Sequence, residues 1–259
     1  MKPISFARTG QNLLIVQFIW SLWALGIFIL VQTIQKFFMS NVDSFYNAGY
    51  ISSNIYMFVI GIIAISFLTY YVEHGITRKN YFYGNVIASI GLSIVIPIII
   101  YIVSLVEGFI INIFTSLTLD KNSLDGALAD VATDVDGNII AEIILSMILQ
   151  PFINPEINLF LSLALFSLNI FVFYVIGWLI GAAFQRLSVI GGILFIIIGI
   201  ALMAVKDSMI RLMMDIPLYE NFSVLEIVPK GLALPVLFIV VLLILFLIRQ
   251  LTKRAVIKI

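Results

Sequence analysis

The chain has 259 residues, 62% of them hydrophobic and only 11% charged, with a mean hydropathy of +1.17. A water-facing domain of this size carries about 25% charged residues, so an ordinary soluble protein is excluded. Fourteen Lys plus Arg balance fourteen Asp plus Glu, which leaves no basic field for nucleic-acid phosphates; with no cysteine and one histidine, His74, thiolate chemistry, disulfides and a His-rich metal site also drop out.

A bilayer core takes about 20 apolar residues per helix, and six runs reach that scale, free of charge except for Glu107 near the end of the third. They predict spans at about 13–35, 53–72, 84–110, 157–185, 187–205 and 231–248, preceded by an N-terminal elbow helix over 1–12. Hydrocarbon offers no partner to open backbone groups, so the fold class is all-α, a polytopic membrane protein forming a single transmembrane domain. The first run is too long for a cleaved leader and no A-x-A site follows it, so it reads as retained. The stretch 139–149 holds Glu142, ends before Pro151 and reads as an interfacial piece.

With six spans, both termini share one side. That side holds nine of the fourteen bases, Lys2, Arg8, Arg78, Lys79, Arg186, Arg249, Lys253, Arg254 and Lys258; the other holds Lys36, Lys121, Lys206, Arg211 and Lys230. The bias places both termini in the cytoplasm. The outer loops are then 36–52, 115–156 and 206–230. The acidic loop with Asp120, Asp125, Asp130, Asp134, Asp136, Glu142 and Glu156 reads as solvated: Asp134, Asp136 and Asn138 match the first three EF-hand ligands, but the glycine falls at 137 rather than at the required sixth position. Met209 to Met214 reads as a short interfacial or re-entrant piece before Pro217.

Within the spans, Gly177 and Gly181, Gly84 and Ala88, and Ser89 and Ser93 are small-x-x-x-small pairs, and Gly191, Gly192 and Gly199 add to them; such residues let helices pack closely. Pro97 would free a carbonyl and kink the third span. Glu107 interrupts a long apolar stretch, and an intramembrane acid is a substrate or proton candidate. It lies about 35 Å along the helix from Gly84, past a core about 30 Å thick, which favours an interface position. The other spans offer it no acid, base or histidine partner at depth.

The most distinctive stretch is Glu73, His74, Gly75, Ile76, Thr77, Arg78, Lys79, Asn80, Tyr81, Phe82, Tyr83, Gly84. A turn opened by Gly75, a Thr77 able to cap a short helix, two bases and three aromatics form a compact amphipathic knob suited to docking on another protein; a positive-inside loop with interfacial aromatics is the plainer reading. Here the sequence resembles the permease subunits of ATP-binding-cassette transporters, type 2 family, in which a Glu is followed by Gly-Ile/Val-Ser/Thr-Arg-Lys and an aromatic pair between spans two and three. This chain has Glu73, then Gly75-Ile76-Thr77-Arg78-Lys79, then Tyr81-Phe82.

The resemblance implies a coupling loop over 73–84 that fits a groove on a separate ATPase, with docking by Thr77 through Phe82, and a dimer with a second permease copy or paralogue. It implies no cofactor on this chain, since ATP and Mg belong to the partner ATPase and no G-x-x-x-x-G-K-[ST] occurs here. The small Firmicute-type members imply export of amphipathic, antimicrobial-type peptides across the bacterial cytoplasmic membrane, with no enzyme activity on the chain itself. An ion- or proton-coupled carrier would call for inverted repeats and buried ionisable pairs, and a non-transporting sensor or immunity protein remains a second alternative; one histidine does not supply an intramembrane metalloprotease. The basic tail, Arg249, Lys253, Arg254 and Lys258, reads as an anchor to anionic lipids.

Overall fold

The computed structural model describes residues 5–38, 42–114, 119–120, 138–148, 150–187 and 189–253. Six of its helices are long and apolar enough to cross a membrane: α1 (Phe6–Phe38), α2 (Phe45–Glu73), α3 (Arg78–Phe114), α5 (Leu159–Arg186), α6 (Val189–Met213) and α7 (Lys230–Lys253). The protein is an all-α, multi-pass membrane protein. A ten-residue helix, α4 (Ile139–Ile148), and a 3-10 helix (Glu220–Ile227) pack between the spans, and Val42–Asp43 (β1) pairs in parallel with Leu119–Asp120 (β2).

The helix starts follow from short polar side chains that satisfy the first open N–H groups. Ser44 Oγ accepts from Asn47 N (3.3 Å) at α2, Thr77 Oγ1 from Asn80 N (3.1 Å) at α3, Asn138 Oδ1 from Ile140 N (3.1 Å) at α4, and Asn158 Oδ1 from Leu161 N (3.0 Å) at α5. Residues 6–12 of the expected elbow are the opening turns of α1 and run into the span without a break, rather than forming a separate piece. Nothing in Phe6 to Asn12 breaks a helix: no proline occurs there, and Gly10 is where α1 touches α3, its backbone lying against Gly84 and Ile87.

Both described ends of the chain lie at one end of the bundle, called here the near end: Gly10 of α1 meets Gly84 of α3, and Arg78 at the start of α3 meets Lys253 at the close of α7. The far end holds residues 36–38, 42–45, 107–114, 138–148, 150–159 and 213–230. The core of the bundle is α5, whose central stretch from Val172 to Ala183 is buried throughout. Lipid supplies no hydrophobic drive between helices, so close van der Waals approach must do it. The G-x-x-x-G pair does this: a Cβ at Gly177 would run into the carbonyl of Phe58, one at Gly181 into that of Ile62, and one at Gly61 of α2 into that of Tyr174. α2 and α5 therefore touch backbone to backbone, in parallel.

Two expectations about span five are overturned. The segment 206–230 is not wholly a loop, and Met209 to Met214 is not a separate piece: α6 continues unbroken to Met213, with Met214 in the turn that ends it. It stops where Asp215 takes a positive φ of 57°, with Ile216 N donating to Arg211 O (3.0 Å), and Pro217 follows. The charges of 206–211 are accommodated in the helix because each finds a partner, Lys206 across on Asn169, and Asp207 and Arg211 on each other, with Tyr219 also on Arg211. Likewise Glu142 is not on a solvated loop; it is buried in α4, and its carboxylate accepts from Asn221 N (3.1 Å). Asp125, Asp130, Asp134 and Asp136 lie outside the described residues.

Candidate functional site

At the near end, α2 and α3 are joined by a tight turn. Gly75, at φ +82°, closes a Schellman motif: Gly75 N donates to Val72 O (3.0 Å) and Ile76 N to Tyr71 O (3.0 Å). Ile76 is buried behind it, and Thr77 caps the long α3 rather than a short helix of its own. Glu73, His74, Gly75, Thr77 and Lys79 are exposed, Arg78 and Asn80 half-buried.

The aromatic part of the motif points inward, which corrects the picture of a protruding knob. Tyr81 is fully buried and its hydroxyl donates to Ala64 O of α2; Phe82 is buried with its ring 5.5 Å from that of Trp178. These rings are too large and apolar to leave in water when α2 and α5 offer a pocket. Tyr83 remains exposed.

The arginines here have a local task. Arg78 Nη1 donates to Lys253 O (3.4 Å), Arg186 Nη1 to Gln250 O (2.7 Å) and Arg249 Nη1 to Arg78 O (3.5 Å), while the Arg249 guanidinium lies 5.6 Å from the Phe82 ring. Cations at a helix C-terminus satisfy its last carbonyls and its dipole. The turn, the α5 end and the α7 end thus form one connected surface.

The expected substrate candidate Glu107 lies at the far end. It forms an ion pair with Lys36 of α1, and Oε2 accepts from Phe45 N (2.8 Å), an open donor at the start of α2. These contacts give it a structural role, joining three helices, with both side chains largely shielded at 13% and 14% exposure.

A second group, missed in the sequence, lies inside the bundle. Lys206, Asp207 and Arg211 of α6 are buried. Lys206 lies about 26 Å along α6 from Val189, within the span of a bilayer core. Its Nζ donates to Asn169 Oδ1 of α5 (2.7 Å) and stands 5.0 Å from the Phe173 ring; Asn169 Nδ2 in turn donates to Tyr50 of α2, whose hydroxyl donates to Pro151 O (2.6 Å). Arg211 Nε donates to Asp207 Oδ2 (2.7 Å) and Nη2 to the Tyr219 hydroxyl (2.8 Å). Burial pushes that hydroxyl up to about 12, so it stays a neutral acceptor.

The signal available for this group was the i, i+4 spacing of Asp207 and Arg211, a helix-internal pair. A third polar set, Gln17, Asn85 and Tyr174, joins α1, α3 and α5: the Tyr174 hydroxyl is 2.9 Å from Gln17 Oε1 and from Asn85 Oδ1. Among the described residues no group of three or more His, Asp or Glu is placed to hold a metal ion.

Compared with known protein families, curated proteins and solved structures, the chain matches none.

Proposed function

We propose that the chain is the membrane-spanning subunit of an ATP-driven exporter, powered by a separate ATPase that docks on the near end. The observation that carries the reading is the turn from Glu73 to Lys79, which presents Thr77 and Lys79 at the end shared by both described ends of the chain. The excess of Lys and Arg at that end supports a cytoplasmic orientation, the side on which a nucleotide-driven partner works, and in this reading the membrane is the bacterial cytoplasmic membrane. ATP and Mg bind on the partner.

A docking surface couples only if its contacts differ in free energy between the ATP-bound and free states, and it transmits motion only if it is stiff. The turn meets the second condition: Tyr81 is tied to α2, Phe82 is stacked on Trp178 of α5, and Arg78 is joined to α7. The middle of α5 is buried on all sides, so a path for cargo forms between two copies, or between this chain and a paralogue, more readily than through one bundle. An amphipathic peptide is the cargo this reading favours.

Reconstituted with its ATPase, Lys79→Glu should lower permease-stimulated hydrolysis about tenfold, since the exposed ammonium sits at the docking rim. Unchanged hydrolysis would contradict the docking assignment. One observation favours a second reading: the buried Lys206, Asp207 and Arg211 are the intramembrane ionisable groups that an ion-coupled carrier requires.

A further inference from the structure

At the far end, where α1 and α3 diverge, they leave a lateral crevice of about 350 Å3 floored by Phe45 of α2. That is within the roughly 300–1,000 Å3 of small-ligand sites. Its walls are largely apolar, Ile29 from α1 with Val103, Val106 and Ile110 from α3; Gln32 and Thr33 of α1 lead from them to the Lys36–Glu107 ion pair, which stands in the same lining. Ile29 lies about 10 Å along α1 from Lys36, and Glu107 lies about 35 Å along α3 from Gly84, beyond the roughly 30 Å of hydrocarbon. The crevice thus joins headgroup depth, where it is ionic, to hydrocarbon depth, where it is apolar.

We propose that this crevice is a binding site for a zwitterionic phospholipid of the phosphoethanolamine type, with one acyl chain between α1 and α3 and its headgroup on Lys36 and Glu107. An occupant must have an apolar tail and a head that meets both signs of charge. A phosphate beside the ammonium of Lys36 and a primary ammonium beside the carboxylate of Glu107 extend one ion pair into an alternating set. An anionic headgroup without a cation would set like charge against Glu107, and a quaternary ammonium brings no N–H donor to it. Because Glu107 also holds the first N–H of α2, the lipid would brace the start of the helix that packs against α5. The site goes beyond the transport reading and needs no ATPase partner.

The test uses the full chain in a maltoside detergent, equilibrated with equal amounts of phosphatidylethanolamine, phosphatidylcholine and phosphatidylglycerol of one acyl composition, then gel-filtered and analysed for retained lipid. Phosphatidylethanolamine should be enriched about fivefold, the scale of one partly exposed charge contact. Val106→Trp, which fills the crevice from its lipid-exposed side, should return retention to bulk proportions, and Glu107→Gln, which removes the charge that selects the primary ammonium, should remove the headgroup preference. Ile110→Trp, also lipid-exposed, repeats the blocking test should Val106→Trp fail to fold. Bulk proportions in the wild type, preference for phosphatidylglycerol or phosphatidylcholine, or enrichment that survives a blocking substitution would overturn the proposal.

Discussion

The two positive-φ positions of the described chain pull stability in opposite directions. Gly75 sits where a Cβ strains the backbone, so Gly75→Ala should cost about 1 kcal/mol. Asp215 occupies the same region with a Cβ, so Asp215→Gly should gain up to about 1 kcal/mol, less its exposed ion pair with Lys230. Thermal melts of the two variants in one detergent check the opposite signs. The buried charges obey a harsher rule. Asp207→Asn leaves Arg211 buried without its counter-charge and should cost about 3–5 kcal/mol, whereas the double change Asp207→Leu with Arg211→Met removes both charges and should be far milder. A double-mutant cycle of melts on Asp207→Leu, Arg211→Met and the double change measures the coupling; a double loss equal to the sum of the two single losses would mean that the pair is not coupled.

Among the elements, the α2–α5 seam depends on the missing side chains of Gly61, Gly177 and Gly181. Gly177→Ala forces a methyl into the α2 backbone and should cost about 1–3 kcal/mol, while Gly26→Ala in α1, where nothing lies within 4 Å, should be neutral or stabilising by up to about 1 kcal/mol. Unfolding midpoints of the pair test whether the seam or helix propensity dominates. The Gly177 and Gly181 side of this seam was legible in the sequence, because small residues at i and i+4 in an apolar run have few other uses; its partner, Gly61 of α2, was not. The six spans were legible too, since runs of uncharged residues long enough for a bilayer are rare by accident. The final turns of α6 were not: a hydropathy reading stops at Lys206, and the partners that make its burial possible, Asn169 and Tyr219, are distant along the chain. Nor was the inward turn of Tyr81 and Phe82 legible, because aromatics beside a basic pair look the same whether they face headgroups or a pocket lined by Trp178. Glu107 was placed at the far interface by counting along the helix, but its partner Lys36 lies on another span, and only the parallel packing of α1 on α3 brings them together.

At the scale of the whole molecule, the bundle has a stiff near end, made of one turn and the α5 and α7 termini tied by three arginines, and a far end organised around buried charges. That division suits a device pushed from one side and opening on the other. The same buried charges are what a carrier driven by an ion gradient would use, so the source of power is the central question. It is decided by tagging the C-terminus, extracting the protein gently from its native membrane, and quantifying co-purifying chains by mass spectrometry. The exporter account predicts an ATPase with Walker motifs at close to one copy per chain. An intact, monodisperse protein that repeatedly carries no such partner would contradict it.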